Sequence, residues 1–574
     1  MPIPRTLTAA TPEDFDLEVV AGEWPDDLTG EVVISGPEMD DKMAHAFFGF
    51  GRMRRLSLEQ GKHGAPADKL AWRNRVIDSP SWRLHQADPD LFEPTPAGYV
   101  SPFGAPNMAN TAPLPWGDRL FATWDVGRPA ELDPVSMKWI GDVGTLESWG
   151  GASLDMFGTL LPFVFSSAHP VVDPDRDCLW TVKLVPDLAN NFLQSPWLVR
   201  YDGDGREVSA WPLADAHVAG SMHTITQTRD WLILADSGNF KVDPVAMMGG
   251  DKSVSIDDEV PLYLLRKDAV EATPVGQPLA SQQFTMGPPA GHYYGVWDDS
   301  DGIRVVFEHM DMLDLAFPIN PADIDRNGNP VDPAHAGLYS MNLAPSTLSE
   351  ATIDPESGRL IDMAIARNPD WGWNLQLSAM DWSTEGMTDP TLHHVVYHGC
   401  RPGNITRRSL DWYADRIDES LIPTEDTPGV LASFRRGSAE LADSYEYTSV
   451  DDFISSPTFV PRDPGAGGSR YAGSDPGGHD GYVVLPVQND DGFRVDVFDA
   501  AAVGKGPVAT AASPKGTCTS IMLHSGWLHR AVEAPSAGRL RFSDELNDTT
   551  LGPLDDHAEQ LARQVAADLD EELG

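Results

Sequence analysis

Apolar residues in this chain recur in short runs that alternate with polar residues and are closed off by Asp, Asn, Gly or Pro. Arg119–Trp124, Cys178–Leu184, Trp231–Ala235, Ile303–Glu308 and His394–Tyr397 are of this kind. The 51 Gly and 48 Pro that punctuate them are spread over all 574 residues, a density that breaks long helices and suits many short strands. Two hairpins stand out. Tyr482–Val487 and Phe493–Phe498 flank Gln-Asn-Asp-Asp-Gly, and Tyr293–Trp297 and Ile303–Phe307 flank Asp-Asp-Ser-Asp-Gly. Each loop ends on Gly, as four- or five-residue hairpin loops favour. Strand pairs repeated through several hundred residues predict an all-β propeller, because radial repetition buries many small sheets without a long open edge.

The surface is strongly acidic: 87 Asp and Glu against 41 Lys and Arg give a formal net charge of −46. Such a surface repels phosphate backbones and anionic lipid, so no nucleic-acid partner is expected. Cys178, Cys400 and Cys518 lack CxxC spacing and read as buried free thiols rather than a disulfide framework or zinc site. The first residues lack the apolar core of a signal peptide and no run of 18 apolar residues occurs, so a cytoplasmic location is expected. The Gly-rich stretch 463–480 reads as a surface loop. Leu561, Val565, Leu569 and Leu573 recur at four-residue spacing, predicting an acidic amphipathic helix over 555–573, read as a surface appendage. No GxSxG elbow is present, which argues against a serine hydrolase.

Most of the 16 histidines have ordinary explanations. His45, His63, His85, His335, His479 and His557 stand among small or polar residues and read as solvated. His393 and His394 alternate along a strand, so His393, His394 and His398 do not form a chelate by themselves. Four others differ. His169 in SSAHPVVDP, His223 in SMHTITQ, His292 in AGHYYGVWDD and His524 in MLHSGWLH each border a strand-like segment. On the inner strands of a propeller all four imidazoles can converge on the axis.

These residues also carry a resemblance. Leu28-Thr29-Gly30, Gly36-Pro37, the stretch from His45 to Met53, Ala109-Asn110-Thr111 and Leu120–Asp125 follow one another in the order seen in carotenoid cleavage oxygenases. Ala168-His169-Pro170, Met222-His223, His292, Phe459–Arg462 and His524 with Gly526-Trp527 complete the series. The sequence is similar to that family over about residues 20 to 535. The resemblance implies a seven-bladed β-propeller at 21–535, between an N-terminal extension (1–20) and a C-terminal extension (536–574) ending in the acidic helix. A cap of loops and short helices would cover an axial ferrous iron, Fe(2+), held by His169, His223, His292 and His524. Neutral imidazole suits ferrous iron, and four ligands leave positions open for O2.

The family also implies three glutamates behind the ligand rings, and here the sequence departs from the pattern. Asp125 stands at the first position, Ser378 near the second and Ser456 at the third, with Asp298 six residues after His292 and Asp381 close to Ser378. The expected reaction is dioxygenase cleavage of a C=C bond, with O2 and an apolar alkene as partners. Stilbene-cleaving members carry a Lys directly before the first carboxylate; Trp124 stands there, which favours a carotenoid or apocarotenoid. Trp124, Phe163, Phe165 and Met247 are expected to line an apolar tunnel whose mouth would allow peripheral membrane contact. A stilbene or phenylpropene oxygenase, an iron-dependent isomerase and a non-catalytic polyene-binding propeller stay open as alternatives.

Overall fold

The computed structural model describes residues 14–38, 45–96, 98–150, 160–186, 193–203, 206–238, 240–339, 342–374, 376–379, 391–462, 480–517, 519–535 and 538–573. Cys518, His479 and Asp381 lie outside the described residues, as does nearly all of the Gly-rich stretch.

The short alternating runs form strands, and the strands form a β-propeller-like array of antiparallel sheets. Five sheets have four strands each, paired in chain order. Blade I is Ala112–Trp116, Arg119–Thr123, Ala130–Leu132 and Trp139–Asp142. Blade II is Val171–Asp173, Cys178–Pro186, Gln194–Tyr201 and Ser209–Pro212. Blade III is Ile225–Gln227, Trp231–Ala235, Val260–Arg266 and Gln282–Met286. Blade IV is His292–Gly295, Ile303–His309, Thr347–Asp354 and Arg359–Arg367, and blade V is Gln376–Ser378, Leu392–Tyr397, Val430–Arg435 and Glu440–Glu446.

A ten-stranded sheet joins the two ends of the described chain. Asp14–Gly22 lies between Ala509–Ala512 and Lys69–Val76, and Glu31–Pro37 pairs with Ser525–Leu528. The first of these strands crosses the boundary expected at residue 20. Both anticipated hairpins form. In the later one the ladder continues to Asn489 opposite Gly492, so the five-residue loop shortens to a two-residue turn.

The core is divided among the gaps between blades, as stacked small sheets require. Trp180 and Leu198 of blade II meet Leu232 and Tyr263 of blade III. Leu262 and Leu264 of blade III meet Val305 and Phe307 of blade IV. Nearer the axis the inner strands come close enough to exchange hydrogen bonds: Thr224 Oγ1 donates to Gly291 O at 2.8 Å and Gly295 N to Thr226 Oγ1 at 2.7 Å. Gly295 is required there, since a Cβ on it would lie 2.0 Å from the Gln227 carbonyl oxygen.

The C-terminal helix forms over Asp556–Leu573, one residue from expectation. It is no appendage. Ala558, Ala562, Val565, Ala566 and Leu569 are buried in one cluster with Phe50, Leu84 and Trp139, and the helix packs on Pro80–Ala87. Among the described residues no helix is long and apolar enough to cross a membrane.

Candidate metal centre

Blade geometry carries four histidines to one place. His169 and His223 each stand two residues before the inner strand of their blade, His292 opens blade IV, and His524 immediately precedes Ser525–Leu528. Backbone bonds fix them: His169 N donates to His223 O at 3.1 Å, and Ser35 N donates to His524 O at 3.0 Å. The His169 ring lies 4.8, 5.0 and 4.4 Å, centroid to centroid, from those of His223, His292 and His524, each turned nearly perpendicular to it.

All four rings are buried, and one ligand atom from each lies within 4.8 Å of the others. Two metal–nitrogen bonds end to end span about 4.2 Å, so a closure of about half an ångström brings the donor set to the size that holds one metal ion. Burial, then the neighbouring imidazoles, push His169, His292 and His524 well below the usual histidine range. Neutral rings at physiological pH keep the lone pair that a metal needs.

Two of the rings are held from behind by carboxylates. His223 Nδ1 lies 2.9 Å from both oxygens of Asp125, and the ring stacks on Phe240 at 4.5 Å. His292 Nδ1 lies 2.9 Å from Glu308 Oε2. With Nδ1–H donating in each case, Nε2 is left to face the cluster. Glu308 is fully buried and is itself held: its Oε1 accepts from the Ser378 hydroxyl, and Tyr294 Oη donates to Oε2 at 3.4 Å. Ser378 Oγ is also 2.7 Å from His393 Nε2.

Glu308 was not among the residues expected here. The cross-strand pairing of Tyr293 with Phe307, already implied by the anticipated hairpin, puts His292 directly opposite Glu308. That register was the available signal. The other expected supports fall differently. Ser378 buttresses Glu308 rather than a ligand ring. Ser456 is buried and accepts from Ser525, the residue after His524, at 3.2 Å. Asp298 sits half-exposed in the turn of the blade IV hairpin, accepting from Ser300 N and facing Arg229 at 3.9 Å, away from the buried cluster.

A cavity of about 420 Å³ adjoins the cluster and is lined by His223, His292, His524 and Asp125. Trp124 and Phe165 line it. Phe163 packs edge-on against Phe165 at 4.6 Å and is not a wall residue. Met247 is a correction: it is 1% exposed and packed in the core, whereas its neighbour Met248 is 63% exposed. The short helix Pro244–Met247 turns one member of the apolar pair inward. Much of the wall comes from long connections that cap the axis: Phe240, Lys241, Val242 and Val254 within blade III, Met310, Leu315, Leu338 and Tyr339 within blade IV, and His398, Arg401 and Asn404 within blade V, with Phe48 and Phe453 adding to it.

The remaining histidines correct the solvated reading in part. Of those read as solvated, His45, His85 and His335 are buried, His63 is half-buried against Glu31 at 2.6 Å, and His557 is exposed. Cys178 and Cys400 are buried free thiols, both pushed up to about 12 by burial.

Residues 5–529 match the family described as Retinal pigment epithelial membrane protein. The chain is similar to the apocarotenoid-15,15'-oxygenase of Synechocystis sp., 29% identical over 175 residues, which is 28% of this chain and 32% of that enzyme. It is 24% identical to resveratrol cleavage oxygenase 1 of Chaetomium globosum over 473 residues, 74% of this chain and 70% of the other. Among solved structures, a Synechocystis apocarotenoid oxygenase superposes with a TM-score of 0.58 at 16% identity, covering 91% of this chain and 98% of that one. The lignostilbene dioxygenase of Pseudomonas brassicacearum superposes with a TM-score of 0.57 at 15% identity, covering 92% and 99%. At these identities the structural likeness establishes the fold.

Proposed function

The chain belongs to the carotenoid cleavage oxygenase family, that of the retinal pigment epithelial membrane protein, and on that premise we propose that it is an Fe(II)-dependent dioxygenase cleaving a C=C bond of a carotenoid or apocarotenoid to two carbonyl products. The observation that carries this reading is the convergence of four buried imidazoles beside an apolar-walled cavity. His169, His223, His292 and His524 would hold the iron, with no carboxylate among the ligands. Bound there, ferrous iron would supply the O2 activation that the reaction needs.

The chain's own residues do the rest. Asp125 and Glu308 fix the tautomers of His223 and His292, and their two negative charges offset that of a divalent ion. Phe48, Trp124, Phe165 and Phe240 offer an extended alkene a water-poor aromatic wall. The ten-stranded sheet reads as two blades joined where Asp14–Gly22 meets Ala509–Ala512, which with the five separate blades makes seven. Exposed Val242, Val245 and Met248 lie at or near the cavity wall and support peripheral contact with a membrane that stores such substrates.

The long match to a resveratrol-cleaving enzyme favours a second reading, cleavage of a stilbene. Phenol activation needs a base or a free hydroxyl in the cavity. Lys241 is neutralised by Asp257 at 2.6 Å and Tyr339 donates to the Asp314 carbonyl, while Trp124 occupies the place before Asp125. The polyene reading is therefore preferred. The test is O2 uptake and carbonyl formation by iron-loaded protein on carotenoids, apocarotenoids and stilbenes. Carbonyl products from polyenes support the proposal; none from any alkene, or polyene isomerisation without O2 uptake, overturns it.

A further inference from the structure

One cation in the cavity wall has no anionic partner among the described residues. Arg401 is 4% exposed and lines the same cavity as the histidine cluster. Its guanidinium donates to three backbone carbonyls, that of Cys400 at 2.8 Å and those of Thr427 and Val450. Its buried Nε–H has no acceptor among the described residues, and no carboxylate there pairs with it. Exposed Asp451 favours the charge only through space. Burial lowers the Arg401 pKa to about 10, which still leaves it cationic at neutral pH.

The other charged groups of the wall are already matched. Lys241 is paired with Asp257, and Asp125 is taken up by the His223 ring. Around Arg401 the wall is formed by His398, Asn404 and Phe453, with no acid among them. A guanidinium kept in a low-dielectric wall without a counter-charge is costly, and that cost is offset when a bound anion supplies the missing charge. Three carbonyls also leave part of its five-donor fork unused. Carboxylate is the ligand class that this planar, charge-assisted fork matches best.

We propose that Arg401 anchors a carboxylate at one end of the substrate, so that the natural substrate is a linear apolar alkene ending in an acid rather than a hydrocarbon. This rests on the reading of the cavity as the alkene site. Its test separates binding from turnover: the full-length iron-loaded protein is titrated anaerobically with all-trans retinoic acid and with its methyl ester, followed by tryptophan fluorescence. The acid binds about 10- to 100-fold tighter than the ester to wild type, as charge-assisted hydrogen bonds imply. Arg401→Met loses that preference and keeps the affinity for the ester, and Arg401→Lys retains part of the preference.

Equal binding of acid and ester by wild type overturns the proposal, and this comparison needs no variant to fold. Persistence of the preference in Arg401→Met overturns it as well. On admitting air, an acid held through Arg401, with no carbonyl product from it or from any carotenoid, apocarotenoid or stilbene, leaves the anchor standing and removes the oxygenase reading. Equal binding of both ligands with product formation does the reverse.

Discussion

Replacing Glu308 by alanine removes the carboxylate that lies 2.9 Å from His292 Nδ1 and accepts the Ser378 hydroxyl. Glu308 is fully buried, so nothing solvates the groups it leaves behind. Outer supports of metal-bound histidines are worth about 10- to 100-fold in metal affinity, or about 1.4 to 2.7 kcal/mol. We expect Glu308→Ala to lose that much affinity for Fe(II) or Co(II) in an anaerobic competition titration against a chelator. Glu308→Gln keeps an acceptor of the same shape without its charge and falls between. The double variant Glu308→Ala, Ser378→Glu returns a carboxylate to the neighbouring inner strand and recovers most of the loss. Thermal unfolding of the metal-free proteins controls for packing. An affinity for Glu308→Ala within about twofold of wild type, in a folded protein, would refute the claim that Glu308 orients the ring.

Further outcomes follow from the buried histidines and the terminal helix. Burial holds His45 at about 3 and His309 and His393 at about 4, so these rings stay neutral in the folded protein while the unfolded chain binds protons below the ordinary value of 6.5. Their folded values are depressed, so stability is fully present above pH 6.5 and is lost as pH falls toward 4, at about 1.4 kcal/mol per pH unit for each ring. Denaturant titrations between pH 7 and 5 should show this slope, and His309→Gln should flatten it by one ring's share; an unchanged slope would refute it. Leu569→Ala, in the buried face of the terminal helix, should cost about 2 to 4 kcal/mol by the same assay, whereas an appendage would leave stability unaltered. Trp124→Ala widens the cavity wall beside Asp125 and should weaken polyene binding by about tenfold or more, read by absorbance titration, with iron content unchanged.

Residues whose role is set by close neighbours in the chain were legible from the sequence. The four histidines border short strands, and the hairpin segments and the terminal helix announce themselves by period. Asp125 lies in a local segment whose neighbours identify it. Roles set by distant contacts were harder to see. Glu308 supports His292 because two strands pair in register, whereas the fixed sequence positions of the resemblance point to Ser378 and Asp298 instead. His45, His85 and His335 have polar or small neighbours, yet are covered by segments remote in sequence: His45, for example, meets Tyr339 at 5.3 Å. Met247 and Met248 are identical side chains in adjacent positions, and one turn of helix decides which is buried. Arg401 gave no sign, since only the fold brings it to the cavity and withholds an acid from it.

The central claim is that one ferrous ion is shared by four imidazoles and is required for O2 chemistry. The most direct measurement is iron content and substrate-dependent O2 uptake on wild type and His292→Ala, both loaded anaerobically with Fe(II) and desalted. The account predicts one iron per wild-type chain with O2 consumed, and loss of both in a variant that remains folded. Full iron occupancy and undiminished O2 uptake in His292→Ala would contradict it.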